Sequence, residues 1–318
     1  MLHPIRIALA AGMLLPALLS AADSHPSESV PEKAYFYIHS VADMDKSLAF
    51  YRDAVGLRTT SVLSAFPSDR LSKNAQINAL ANTPDASFRP VYFELPGSDY
   101  GFELLQFAGI ERTPVRPRLQ DPGATFLILQ VRKLDSILEK IKRSRADVVG
   151  TGSARTVFVK DPDGFYLLLE QPRRVPANAP KGNIVAASVG VAVADIATAQ
   201  RFYQDLLGFI PSKPGRTADS AGSLAGLTGV NGAKIATTNI AIPSSTFDVE
   251  LWEFKGVDQR PIHPRMQDPG ASQFTLQFKE PAAARAFLKA AGIEFLSPGV
   301  VYDPNGVLIL VRGEAPNH

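Results

Sequence analysis

The chain has 318 residues, of which 45% are hydrophobic and 20% charged, a composition typical of a folded protein and long enough for two domains. Its formal charge of +2, without a basic stretch interleaved with aromatic residues, excludes the electrostatic footprint of a nucleic-acid-binding protein. The sequence contains no cysteine, which excludes disulfide bonds, so its stability must come from packing.

The first 22 residues have the layout of a secretory signal peptide. Arg6 precedes an apolar stretch at 7–19, and small residues follow it up to Ala22. The apolar stretch is too short and too interrupted for a membrane span. We therefore predict cleavage after Ala22 and a secreted or periplasmic protein without stable membrane insertion, an uncleaved anchor helix being the alternative. Residues 23–33 are polar and are predicted to form a flexible leader.

Beyond residue 33 the chain consists of two copies of one series of motifs in the same order. Such a repeat indicates two domains of one fold, predicted at 34–172 and 184–313 with a linker at 173–183. The repeated motifs, first copy and then second, are Phe50-Tyr51-Arg52-Asp53 and Phe202-Tyr203-Gln204-Asp205; Glu103-Leu104 and Glu250-Leu251; Gln120-Asp121-Pro122-Gly123-Ala124 and Gln267-Asp268-Pro269-Gly270-Ala271; and Asp161-Pro162-Asp163-Gly164 and Asp303-Pro304-Asn305-Gly306.

Each copy contains the pattern of a strand, a helix and further strands twice over. In the first copy a strand at 34–41 precedes a helix that Asp43 caps and Gly56 ends. A second helix with an apolar stripe at 134–141 follows, and a hairpin turn at Asp163-Gly164 precedes the last strand. The second copy repeats this order, so we predict four βαβββ modules in an α+β fold.

The order of these motifs resembles the vicinal oxygen chelate superfamily, which includes glyoxalases, bleomycin resistance proteins and extradiol dioxygenases. The shared signature is Phe-Tyr-x-Asp-x-x-Gly at the end of the first helix, a Glu-Leu strand, and Asp-Pro-[Asp/Asn]-Gly before the last strand, and both copies carry it. The resemblance implies two curved-sheet domains, each enclosing a small cavity. In active members of the family the cavity holds a divalent metal that chelates vicinal oxygens of the substrate.

The resemblance also implies four metal-ligand positions in each copy. They fall on Phe36, Glu103, Phe126 and Leu168 in the first copy and on Ser188, Glu250, Gln273 and Leu310 in the second. A divalent metal requires several converging nitrogen or oxygen donors. The first set offers one donor, and the second offers two with a serine as a weak third. We therefore predict no standard metal cofactor, the alternative being a divalent metal such as Fe, Mn or Zn.

Histidine, a common metal ligand, is also scarce in this sequence. His25 and His318 lie in the terminal segments. Because side chains alternate along a strand, His39 should face the helix side of its strand, away from the cavity. His263 falls in a loop between two modules. We interpret His39 and His263 as structural or surface residues rather than ligands.

The two glutamates of the Glu-Leu motifs, Glu103 and Glu250, are the catalytic candidates because they occupy equivalent inward positions of apolar strands. A buried, unpaired carboxylate costs several kcal/mol or shifts its pKa upward. Such a group could act as a general base, a substrate anchor or a residual ligand. The alternative is a hydrogen-bonded relic of an ancestral metal site.

Side-chain size distinguishes the two predicted cavities. Large residues such as Phe36 and Phe126 should fill the first, whereas small residues beside Glu250 should leave the second roomier, so we predict ligand binding in the second copy. Arg265 could reach an anionic ligand, although pairing with its loop aspartate is favoured. The ligand-binding candidates are Ser188, Gln273, Thr275, Trp252 and Arg265.

The predicted function is the binding of a small, partly apolar organic molecule in the second-copy cavity, outside the cytoplasm and without a standard metal. One alternative is a metal-dependent lyase, isomerase or ring-cleaving dioxygenase that uses Glu250 and Gln273. Another is a structural or partner-binding role in which both cavities are vestigial. The fold alone does not decide, because one scaffold hosts many chemistries. The pairing of the four modules and the oligomeric state are left open by the sequence.

Overall fold

The computed structural model describes residues 30–61, 66–144, 146–216 and 221–313. The predicted signal peptide at 1–22 and most of the predicted leader lie outside these ranges. Within them, no helix combines the length and the apolar character needed to cross a membrane. The first strand begins at Lys33, the last residue of the predicted leader. The backbone N–H of the preceding Glu32 already donates to the carbonyl of Gln277 at 2.8 Å.

The four predicted βαβββ modules are confirmed. Modules 1 and 2 comprise β1 (Lys33–Ser40), α1 (Met44–Leu48), β2 (Arg58–Thr60), α2 (Ala75–Ala81), β3 (Ser87–Glu94) and β4 (Gly101–Ala108), then β5 (Thr125–Val131), α3 (Leu134–Arg143), β6 (Val148–Ser153), β7 (Thr156–Lys160) and β8 (Tyr166–Glu170). Modules 3 and 4 comprise β9 (Ile184–Val193), α4 (Ile196–Gln200), β10 (Ile210–Pro211), α5 (Ala221–Thr228), β11 (Lys234–Ala241) and β12 (Asp248–Lys255), then β13 (Ser272–Gln277), α6 (Pro281–Ala290), β14 (Phe295–Ser297), β15 (Val300–Tyr302) and β16 (Leu308–Arg312).

The first helix begins and ends where the sequence predicts. The side chain of Asp43 accepts hydrogen bonds from the backbone N–H groups of Asp45 and Lys46, and Gly56 closes the helix with a φ of 91°. After α1 the helix continues as a π-helix at Ala49–Val55, and α4 continues in the same way at Arg201–Leu206. The helices α2 and α5 were not predicted.

Each sheet combines one module from each copy. Modules 1 and 4 form an eight-stranded sheet in the order β14-β15-β16-β13-β1-β4-β3-β2, called here the outer-module sheet. Modules 2 and 3 form a second in the order β10-β11-β12-β9-β5-β8-β7-β6, the inner-module sheet. The expectation that each copy encloses its own cavity is therefore wrong. The physical reason is that β1 pairs antiparallel with β13, and β5 with β9, across the copy boundary.

The helices α1, α3, α4 and α6 and one face of each sheet pack into a shared core that joins both copies, to which Tyr37, Leu104, Leu129, Val191 and Phe274 contribute. The helices α2 and α5 pack instead against the other faces of the sheets. Within a copy, the first helix is tied to the turn of the second module. The Tyr51 hydroxyl donates to Asp161 at 2.9 Å, and the equivalent Tyr203 donates to Asp303 at 3.0 Å. The other face of each sheet, called here the concave face, carries its own apolar cluster.

Candidate functional site

Strand pairing aligns equivalent residues of the two sheets in one row across each concave face. In the outer-module sheet the row is Tyr92, Glu103, Ile38, Gln273 and Leu308. In the inner-module sheet it is Asn239, Glu250, Gly190, Phe126 and Tyr166. The two glutamates are therefore equivalent, but their neighbours differ. Gln273 lies two strands from Glu103 in the outer-module row, and Phe126 occupies the equivalent position, two strands from Glu250, in the inner-module row.

Aromatic side chains fill the concave face of the inner-module sheet. A Cβ atom built on Gly190 would lie 2.0 Å from the ring of Phe126, so this ring occupies the space directly over the glycine. Phe126 packs edge-on against Phe158 and Trp252, with ring centroids 5.2 and 5.5 Å away. Trp252 is fully buried, and its Nε1 has no hydrogen-bond partner among the described residues. The roomy cavity predicted beside Glu250 is thus filled by a first-copy residue.

Glu250 is held by an arginine that the sequence analysis did not identify. The Nε of Arg216 donates to Glu250 Oε1 at 2.6 Å, and its Nη2 donates to Oε2 at 3.1 Å. The remaining Nη1 donates to Glu170 Oε1 at 2.5 Å. The guanidinium also lies 5.3 Å from the ring centroid of Trp252, a cation–π distance. Arg216 thus gives the Glu250 carboxylate a hydrogen-bonded partner, as in the alternative of a hydrogen-bonded relic.

The electrostatics of this cluster follow from burial and charge balance. Burial raises the pKa of Glu250, and the Arg216 guanidinium opposes that rise. Burial works against the charge of Arg216, but Glu250 and Glu170 outweigh it and raise the pKa of the guanidinium further. Because arginine stays protonated, the cluster keeps an internal cation between two carboxyl groups.

Glu103 has the opposite environment. Its side chain is buried, with 7% of the residue exposed, and no described residue donates a hydrogen bond to it. Burial raises the pKa of Glu103 to about 8, and the distant charge of Arg312 offsets only part of that rise. Near neutral pH the carboxyl of Glu103 is therefore mostly protonated, and no cation among the described residues forms an ion pair with it.

Gln273 is the second unsatisfied polar residue of the outer-module face. Its Oε1 is buried and has no hydrogen-bond partner among the described residues, while its Nε2 lies 3.4 Å from Thr275 Oγ1. A buried amide oxygen without a partner costs about 1–3 kcal/mol, which a ligand donor would recover. These groups share the concave face with a packed apolar cluster that includes Phe36, Ile38, Tyr92, Leu105, Phe107 and Leu310.

A divalent metal needs more donors than either concave face offers. The outer-module sheet has Glu103 and Gln273 at the family's ligand positions, with Phe36 and Leu310 at the other two. In the inner-module sheet Arg216 already binds Glu250, and a fixed guanidinium repels a metal ion. Catalytic zinc and iron sites usually take three protein ligands. Neither face fits a standard metal centre of the family.

The predicted ligand-binding residues do not form one site. Ser188, Glu250 and Trp252 belong to the inner-module sheet, whereas Gln273 and Thr275 belong to the outer-module sheet. The grouping was wrong because it assumed that the modules of one copy pair with each other. Gln273 and Thr275 instead share a concave face with Glu103.

Arg265 lies in the loop before β13 and makes two hydrogen bonds with Asp268, from Nε at 3.0 Å and from Nη2 at 2.8 Å. The favoured pairing with the loop aspartate is confirmed, and the candidate role of Arg265 as a ligand contact is not supported by this position. The equivalent Arg118 bonds to Asp121 in the same way, with Nη2 to Oδ1 at 2.6 Å.

His39 faces the shared core, as predicted. It is fully buried, with its Nδ1 3.3 Å from Ser272 Oγ and its Nε2 3.4 Å from Asp161 Oδ2. Among the described residues, His39, Asp161 and Asp163 form the group of possible metal ligands with atoms within 4.8 Å of one another. The oxygens of Asp161 already accept hydrogen bonds from Tyr51 and from backbone N–H groups, so the cluster stabilises the turn. His263 is exposed.

Arg216 is the partner of a candidate site residue that sequence reasoning missed. It lies in the irregular segment between β10 and α5, where neither periodicity nor a repeated motif marks it. A lone arginine in a loop gives no signal of its own. Only the folded chain brings it to Glu250.

The comparisons agree with the geometry. The family model described as the Glyoxalase/Bleomycin resistance protein/Dioxygenase superfamily matches residues 37–169 and 185–311. No curated protein shows a significant match to this sequence. Among solved structures, glyoxalase I from Zea mays has a TM-score of 0.53 at 17% identity, covering 87% of this chain and 90% of that chain. A dioxygenase-like protein from Bacillus subtilis has a TM-score of 0.55 at 10% identity, covering 91% of this chain and 87% of that chain.

These two structures share the fold with this chain, and identities this low carry no further inference about activity. The family match covers both copies and most of the chain, in agreement with the tandem modules and the two curved sheets described above. The chain belongs to the Glyoxalase/Bleomycin resistance protein/Dioxygenase superfamily.

Proposed function

We propose that this protein binds a small, partly apolar organic molecule on the concave face of the outer-module sheet, without a standard metal centre. The observation that carries the proposal is the pair of unsatisfied buried groups on that face, the Glu103 carboxyl and the Gln273 amide oxygen. The signal-peptide layout of residues 1–22 supports export to the periplasm or the exterior. The proposed site is therefore not the predicted second-copy cavity but a face to which both copies contribute strands.

Packing supports the choice of this face. On the inner-module sheet, Phe126 occupies the space over Gly190 and Arg216 pairs with Glu250, so the carboxylate of that row already has its partner. On the outer-module sheet the equivalent positions hold Gln273 and Ile38, and the carboxyl of Glu103 has no partner among the described residues. A ligand that supplies hydrogen bonds and an apolar surface would complement it.

A metal-dependent lyase, isomerase or ring-cleaving dioxygenase is the second candidate function. It is favoured by one observation, that Glu103 and Gln273 are two oxygen donors on the same concave face. Two protein donors are fewer than such enzymes usually supply to their metal. Elemental analysis of the purified protein distinguishes the two proposals. Near-stoichiometric iron, manganese, nickel or zinc that survives dialysis and is lost in Glu103→Gln would support the enzyme.

A fragment screen by ligand-observed NMR tests the binding proposal. The variant Ile38→Gly with Gln273→Phe reproduces in the outer-module row what Gly190 and Phe126 do in the inner-module row. We expect fragments that bind the wild-type protein to lose most of their saturation-transfer signal with this double variant. The control is Ser188→Phe on the inner-module sheet, which should leave the signals unchanged.

Circular dichroism must show that both variants remain folded. If fragments bind the double variant as well as the wild type but do not bind Ser188→Phe, the site lies on the inner-module sheet and the proposal is wrong. If no fragment binds any of the proteins, the binding function is wrong.

A further inference from the structure

Two polar groups on the concave face of the outer-module sheet accept no hydrogen bond from a described residue. The Glu103 carboxyl receives no hydrogen bond from a described residue, and Gln273 Oε1 is buried without a partner in the described part of the chain. Gln273 directs its Nε2 toward Thr275 Oγ1 within the sheet. The Tyr92 hydroxyl, opposite Glu103 in the row, can donate or accept. A ligand that brings donors would satisfy Gln273 Oε1 and, once Glu103 has lost its proton, the Glu103 carboxylate as well.

The inner-module sheet shows which chemical group satisfies the equivalent carboxylate. There a nitrogen cation, the Arg216 guanidinium, donates to Glu250 while it lies over the aromatic ring of Trp252. The row that surrounds Glu250 is related by the sequence repeat to the row that surrounds Glu103. A cation from outside the chain would complete Glu103 in the same way.

Arg312 does not fill that role. Its guanidinium carbon lies 4.7 Å from the ring centroid of Tyr35, and its Nε donates to the carbonyl of Gly313 at 3.3 Å. Arg312 pairs in register with Gln277, four residues along β13 from Gln273. Its charge lowers the pKa of Glu103, but by less than burial raises it.

We propose that the ligand of the outer-module face is a small organic nitrogen cation, an ammonium or a guanidinium with an apolar group. The nitrogen donates to the Glu103 carboxylate and to Gln273 Oε1, and the apolar group packs against Phe36 and Tyr92, whose rings lie 5.0 Å apart. This inference rests on the proposed function, since it assigns a ligand class to the same site.

Binding of such a cation is coupled to loss of a proton. The free protein holds a proton on Glu103, and the complex holds the carboxylate beside the ligand cation, so one proton passes to solvent. The other charged and titratable groups that act on Glu103 and Tyr92 are Arg312 and Tyr35. Arginine stays charged, and burial raises the pKa of Tyr92 above its usual value. Glu103 is therefore the group whose charge changes with binding near neutral pH.

Isothermal titration calorimetry with three probes of similar shape tests the ligand class: benzylammonium, benzyl alcohol and benzoate. We expect benzylammonium to bind the wild-type protein about tenfold or more tightly than either of the others. Its affinity should increase about tenfold for each unit that the pH is raised towards 8, and titrations in buffers of different ionisation enthalpy should show release of about one proton. Glu103→Gln should weaken benzylammonium about tenfold or more and abolish the pH dependence.

The matched control is Glu250→Gln, the equivalent change on the inner-module sheet, which should leave the affinity for benzylammonium unchanged. Tighter or equal binding of benzyl alcohol or benzoate would show that the cation assignment is wrong while the site stands. If neutral fragments bind but none of the three probes does, the cation assignment is likewise wrong and the site stands. If no small molecule binds at all, the proposed function and the cation assignment are both wrong.

Discussion

Replacing Glu103 by Gln should remove a large pH dependence from the free energy of unfolding. The native carboxyl has a pKa of about 8 because it is buried, against an ordinary value of 4.5 in the unfolded chain. Between these values the native state holds a proton that the unfolded state has released. The free energy of unfolding should therefore fall by about 4–5 kcal/mol as the pH rises from 4.5 to 8. Above pH 8 it should level off.

Urea denaturation at a series of pH values measures this effect. At pH 5 the wild type and Glu103→Gln should have similar free energies of unfolding, and at pH 8.5 the variant should be the more stable protein by several kcal/mol. Glu250→Gln is the control, because it leaves Arg216 without its main partner and should be destabilising across the range. Parallel stability curves for the wild type and Glu103→Gln would show that Glu103 has a charge partner in the native state.

Replacing Arg216 by Met should destabilise the protein by about 3 kcal/mol. The change leaves Glu250 and Glu170 close together without their cation, and breaking a buried ion pair by removing one partner typically costs about 3–5 kcal/mol. We place the effect at the lower end because 23% of the Arg216 side chain is exposed. The loss should be largest at high pH, where both carboxyl groups would be ionised.

A double-mutant cycle separates the ion pair from packing on Trp252. Arg216→Met combined with Glu250→Leu removes the Arg216–Glu250 pair and leaves Glu170, which is partly exposed. The double variant should recover most of the stability that Arg216→Met loses, since an apolar pair of similar volume is often neutral. Arg216→Lys should recover little, because a lysine cannot reproduce the two parallel bonds to Glu250. If Arg216→Met and the double variant are equally destabilised, the arginine stabilises the sheet by packing rather than by charge.

The local features of the fold could be predicted because local sequence determines them. Asp43 caps its helix and Gly56 ends it, since these positions require a side-chain acceptor and a positive φ. The motif repeat likewise predicted four equivalent modules. Their pairing could not be predicted, because the strands β1, β5, β9 and β13 carry similar patterns and any of them offers an edge to another.

The grouping of the candidate residues on one face was wrong as a consequence of that pairing. Strand alternation correctly placed Glu103, Glu250, Gln273 and Thr275 on concave faces, and it placed His39 in the core. Which residues meet on one face depends on the partner module. Gln273 shares a concave face with Glu103, and Phe126 packs over Gly190 beside Glu250, because β13 joins β1 and β5 joins β9.

A ¹H–¹⁵N NMR titration with benzylammonium tests most directly whether the outer-module face is the binding site. Trp252 is the sole tryptophan, so its indole N–H gives one resonance that reports on the inner-module face, and the side-chain amide of Gln273 reports on the outer-module face. We predict that the Gln273 amide resonances shift with saturation while the Trp252 indole resonance stays in place. A saturable shift of the Trp252 indole resonance without a shift of the Gln273 amide resonances would contradict this prediction. It would place the site on the inner-module face, beside Glu250.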